Sequence, residues 1–180
     1  MCYFICLTVT GMTSTGVDKA LARRGLPVRF EPLSNPCLDA VLAPGELCLV
    51  HVSPRGCDCG TGLGSARRQN GAGVPSAEQI AKLTRKGWSV TRIDRWIGEK
   101  TRAARRADAR RQTGNDVPWA AVVTALLDAG AGTVGLLLHF YSGDVATEQL
   151  RVGRLSLPVA DANDECLAAM PVDVVYTFGK

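Results

Sequence analysis

Residues 3–10, Tyr-Phe-Ile-Cys-Leu-Thr-Val-Thr, are apolar or β-branched on both alternations. A strand with one wet face alternates apolar and polar residues, so a run apolar on both sides needs cover on two faces. It therefore predicts a strand in the middle of a sheet. Other runs supply its neighbours: 47–52 and 133–141 are strongly apolar, 27–33 alternate Val28 and Phe30 against Arg29 and Glu31 with prolines at both ends as an edge strand does, and 172–178 reads as a final strand. Residues 148–158, after the turn Ser142-Gly143-Asp144, are expected to pair antiparallel with 133–141 as a hairpin.

Between these runs lie helical patterns. Val17 to Arg24 ends at Gly25, 37–42 suits one turn of helix, and Trp119, Val122, Val123, Leu126 and Leu127 mark one face of a helix closed by Gly130. Asp116 is placed to cap that helix, with Pro118 in its first turn. Ser76 and Gln79 form a capping-box pattern before Ile80, Leu83, Val90, Ile93 and Ile97, with Gly87 dividing the stretch into two helices. The expected fold is α/β of the α+β type: one mixed, mostly antiparallel sheet of about five to six strands, with helices on at least one face. At 180 residues, 46% hydrophobic and 21% charged, the chain suits a single globular domain over 1–180. The apolar run from Tyr3 to Val9 is too short for a membrane span and lacks the flanks of a secretion signal, which predicts a cytoplasmic protein with no membrane partner.

The seven cysteines stand at 2, 6, 37, 48, 57, 59 and 166, an odd number in a chain large enough to fold without disulfides. Cys6 and Cys48 fall within apolar runs and read as core. Cys57 and Cys59 belong to the glycine-rich loop 54–75, in the sequence Cys-Asp-Cys-Gly-Thr. Three readings of this loop stay open. In the first, the two thiols bind zinc or an iron–sulfur cluster with further ligands drawn from His51, Cys37, Cys2 and His139. In the second, one thiol is a catalytic nucleophile with His51 or His139 as its base, and Gly60, Thr61, Gly62, Arg67 and Arg68 bind a small anionic ligand. In the third, the loop is a turn whose thiols fill apolar niches. The glycines match neither standard nucleotide-binding spacing. Removal of Met1 would expose Cys2, in an arrangement that resembles N-terminal-nucleophile hydrolases. Tyr141, Asp144 and Glu148 could line a polar rim.

The net charge of +4 is unevenly spread. Residues 82–111 hold eleven Lys or Arg against Asp94, Glu99 and Asp108, inside the helical segment 76–112. Gly87-Trp88-Ser89, followed by Ile93 and Trp96, resembles the turn and second helix of a helix-turn-helix. That resemblance implies nucleic-acid binding, with Arg92 and Arg95 facing DNA and Arg102, Arg105 and Arg106 on phosphates. A solvated basic helix, or one that docks on an acidic protein partner, accounts for the same charges.

Overall fold

β1 (Cys2–Thr10) runs through the middle of a six-stranded sheet, as its two apolar alternations require. The computed structural model describes residues 2–54, 56–64, 77–112 and 117–179, with 77–78 and 103–112 described in backbone alone. Along the chain follow α1 (Ser14–Arg23), β2 (Phe30–Pro32), α2 (Pro36–Asp39), β3 (Glu46–His51), α3 (Ala77–Arg85), α4 (Val90–Gln112), α5 (Trp119–Asp128), β4 (Thr133–Tyr141), β5 (Gly153–Pro158), α6 (Asp164–Ala169) and β6 (Val174–Gly179). The strand order is β2-β3-β1-β4-β6-β5, antiparallel throughout except for the β5–β6 pair. β1 pairs with β4 from Cys2↔Tyr141 to Val9↔Val134, and with β3 only from Cys6↔Val50 to Thr10↔Glu46. Its first residues thus have a strand neighbour on one side alone.

The odd-numbered side chains of β1, Ile5, Leu7 and Val9, join Leu136, Leu138 and Phe178 against Val17 and Leu21 of α1, Leu126 of α5 and Leu167 of α6. Each fully buried aliphatic side chain there contributes about 1.5–3 kcal/mol. α1 is pinned at both ends: Thr13 accepts from the Gly16 N–H at its start, and Gly25, with φ 68°, reverses the chain at its finish. The opposite face gathers Cys6, Leu38, Cys48, Leu137, Tyr141, Leu150 and Val175. α2 and the 142–152 segment contribute to its cover through Leu38 and Leu150.

On that second face Arg154 of β5 reaches Glu46 of β3, with Nη1 to Oε2 at 2.8 Å and Nη2 to Oε1 at 2.5 Å. Three strands separate β3 from β5 in the sheet order. A contact across that span requires a strongly curled sheet, since flat neighbours lie about 4.8 Å apart. Gly135 keeps the path open, because a Cβ there would stand 2.2 Å from Thr8 Oγ1 and 2.9 Å from Val175 Cγ1. Burial alone raises the Glu46 carboxyl, but the Arg154 hydrogen bonds and charge and the Ala43 N–H outweigh it and hold it below the usual carboxylate range.

The expected hairpin of 148–158 on 133–141 does not form. β6 takes that side of β4, from Thr133↔Gly179 to Leu136↔Tyr176, and β5 begins only at Gly153 and pairs parallel to β6. Side chains divert the chain before it can turn back. Glu148 accepts from the N–H groups of Ser142 and Gly143 and from the Ser142 hydroxyl, while the buried Asn35 amide donates to the Val145 and Glu148 carbonyls. These bonds close a loop where a hairpin needs extended strand. Glu148 is consequently part of the turn and Tyr141 is buried, so they form no open rim with Asp144.

Two other expectations shift slightly. α5 starts at Trp119 with Pro118 at the cap position and not in the first turn, and Asp116 and Ser76 lie outside the described residues. The division at Gly87 (φ 78°) is as expected. Among the described residues no helix is long and apolar enough to cross a membrane.

Candidate metal centre

β3 stops at His51 while β1 continues to Cys2, which leaves the Tyr3 and Ile5 N–H groups facing the space beyond the end of β3. In an antiparallel ladder the next residues of β3 would accept those bonds. The chain instead turns away at Gly56 (φ 72°) and returns as a tight turn over Asp58–Gly60. Its side chains replace the missing strand: Asp58 Oδ2 accepts from the Ile5 N–H at 2.7 Å, and Cys59 Sγ accepts from the Tyr3 N–H at 3.2 Å.

The turn is held from three further directions. Asp58 is fully buried, and its Oδ1 bonds His51 Nδ1, so a buried carboxylate has an ionic or hydrogen-bonded partner on each oxygen. The His51 ring lies edge-on to Trp119, with centroids 5.2 Å apart, and beside Phe30 at 5.8 Å. The Asp58 carbonyl accepts from both the N–H and the hydroxyl of Thr61, at 3.0 and 2.8 Å. Gly64 packs so closely on that carbonyl that a Cβ would sit 2.0 Å from the oxygen, so this glycine is required by space.

The consequence is a cluster of three thiols. The Sγ atoms of Cys2, Cys57 and Cys59 all lie within 4.8 Å of one another, Cys59 buried and the other two half-buried. Three sulfurs around a tetrahedral zinc at about 2.3 Å stand about 3.8 Å apart, so the cluster needs only a small contraction to hold an ion. Cys2, Cys57 and Cys59 can therefore hold a metal ion, and no helix described here spans a membrane.

Of the four residues considered as further ligands, Cys2 alone joins the cluster among the described residues. His51 stands behind the turn with Nδ1 committed to Asp58. His139 projects from β4 on the face of Leu137 and Tyr141, opposite to that of His51 and Leu49, and bonds Asp173. Cys37 donates to Gln149 Oε1 at 3.5 Å. Cys6 and Cys48 are core thiols as expected, and hydrogen bonding with Cys6, followed by burial, pushes the Cys48 thiol far up. Gly60 and Thr61 are buried and Thr61 turns its donors inward; Gly62 is half-buried, and Arg67 and Arg68 lie outside the described residues. A cavity of about 320 Å³ opens beside Gly62 and Leu63 against Pro118, Trp119, Asp164 and Leu167. Among the described residues that line it, the acid Asp164 is the one charged side chain.

In the basic segment Ser89 Oγ accepts from the Arg92 N–H, and Arg92 stacks over Trp88 at 4.0 Å, with Ile93 buried. Arg92, Arg95 and Arg102 are exposed, while Arg105 and Arg106 occupy α4 positions whose side chains lie outside the described set. The sequence alone marks Asp58 only as a residue of the glycine-rich loop. Its work as a surrogate strand partner was signalled by one fact alone, an acid between two cysteines just past a core strand. No family model matches the chain, and no characterised protein or solved structure matches it.

Proposed function

We propose that the protein is a metal-binding protein whose centre is the thiolate set Cys2, Cys57 and Cys59, and that its metal is zinc. The mutual approach of the three sulfurs carries this reading. It is supported by the way the loop is held: Asp58, Thr61 and Gly64 fix the Cys-Asp-Cys turn without using Cys57, and the Tyr3 N–H offsets part of the charge on Cys59 when that sulfur ionises. Three protein ligands leave one coordination position for water or an exogenous ligand, which is the arrangement of an open zinc site. Because three thiolates over-neutralise a dication, that position favours a neutral ligand such as water over an anion.

Thiol catalysis draws less support, since neither histidine belongs to the thiol cluster among the described residues and His51 is locked against Asp58. Protein purified under reducing conditions is expected to carry about one equivalent of zinc, and cobalt substitution to give the charge-transfer absorbance of thiolate ligands. Cys57→Ser with Cys59→Ser should abolish both. Folded, reduced wild-type protein that takes up neither supplied zinc nor cobalt would overturn the proposal, and the wild-type cobalt titration decides the matter even if the variant does not fold.

A further inference from the structure

α4 carries a one-sided row of arginines. At about 100° per residue, positions 92, 95, 102, 106 and 110 fall within an arc of about 80°, and they extend about 27 Å along the axis. All five are Arg, and Glu99 is the one acid within the same arc. Ile93, Trp96 and Ile97 occupy another side of the helix, and it is there that Ile93 is buried. Of the row, Arg92, Arg95 and Arg102 are exposed.

We infer that this face of α4 binds the phosphate backbone of a duplex nucleic acid. Two features favour that partner over an acidic protein. A protein interface is anchored by buried aromatic or aliphatic side chains at its centre, whereas the positions between Arg95 and Arg110 in this arc hold no apolar residue larger than alanine. The basic residues of the row are all arginine, whose planar fork donates two parallel bonds to a phosphate, where a lysine supplies a point charge. A row of about 27 Å runs past many phosphates of a duplex, which carries one charge per about 1.7 Å of axis. Contacts of this kind position a duplex without reading its sequence. The inference is independent of the metal centre, whose cysteines lie outside α4.

The test is fluorescence anisotropy with a labelled random-sequence DNA duplex, titrated with the full chain from about 50 to 200 mM salt. Binding is expected to weaken with a slope of about −4 in log K against log salt, for four to five phosphate contacts. Arg95→Ala with Arg102→Ala should weaken binding about ten- to a hundredfold at 50 mM salt and flatten the slope by about 2. Lys100→Ala with Arg111→Ala removes the same charge from the side of Ile93 and should cost less than about threefold. Glu99→Gln should tighten binding severalfold. No binding at 50 mM salt, equal losses in the two double variants, or tighter binding to a polyglutamate peptide than to the duplex would overturn the inference, the last result pointing to an acidic protein partner.

Discussion

The molecule contains two histidine–aspartate pairs, one on each face of the sheet, and they differ in how completely they are enclosed. His51 and Asp58 have side chains 4% and 0% exposed, and the carboxylate also holds the Ile5 N–H. His139 and Asp173 are 11% and 41% exposed, and the His139 Nε2 is buried without a partner among the described contacts. Asp173 lies in the left-handed region (φ 63°), its N–H on the Leu138 carbonyl and its own carbonyl on the Gly153 N–H. The first pair thus fastens the Cys57–Cys59 loop through its side chains. The second marks a bend that its backbone already secures. The same two residue types make a strut in one place and an accessory in the other, and the number of buried groups that depend on the carboxylate makes the difference.

The same substitution in both pairs puts that difference to its hardest trial. Asp58→Asn is expected to cost about 2–3 kcal/mol in urea unfolding and to weaken zinc binding at least tenfold, because the loop loses a charged acceptor shared by His51 and Ile5. Asp173→Asn, which keeps a residue tolerant of the left-handed region, should cost less than about 1 kcal/mol and leave zinc affinity unchanged. Equal costs would mean that enclosure does not distinguish the pairs.

Glu46, whose buried carboxylate pairs with Arg154, adds a third acid with several partners and no histidine. Glu46→Gln should cost about 1–3 kcal/mol at pH 7. Because the folded state holds this carboxyl below its ordinary value, its contribution is complete above about pH 4.5 and is lost as pH falls through the lowered folded value. The gap in stability between wild type and Glu46→Gln should therefore narrow as pH falls below about 4.5, the ordinary carboxylate value. A gap that persisted at acid pH would assign the effect to packing.

The smallest effect is expected at His139. Its Nε2 is buried and has no partner among the described residues, so His139→Phe removes an unsatisfied polar atom together with the bond to Asp173, and stability should stay within about 1 kcal/mol of wild type. A loss above about 2 kcal/mol would raise this pair to the standing of the first.

Local patterns carried much of this architecture. The two apolar alternations of 3–10 placed β1 centrally, the prolines and charges near 28–31 marked an edge, and Gly87 divided the basic helices. The 148–158 hairpin failed because its alternation is compatible with any neighbour, and what excluded β4 was Glu148 and Asn35 acting over distances that no local pattern reports. The candidate site was half legible. Cys57 and Cys59 announce themselves by spacing, but choosing Cys2 from among Cys37, His51 and His139 requires knowing that β3 ends before β1 does. Glu46 and Arg154 are 108 positions apart and meet only through curvature. Nothing in their separate strands foretells the contact.

The Asp58 and Cys59 bonds to β1 also bear on how the chain behaves in company. Tyr3, Phe4 and Ile5 form an apolar strand segment whose outward N–H groups would accept a strand from another molecule if left unclaimed. The loop works as a stopper on that edge, made of a carboxylate and a sulfur where most sheets use a strand or a charge. Oxidation of Cys59 or loss of Asp58 would pull the stopper, and the first sign of damage would be self-association through the N-terminal strand rather than a melted core.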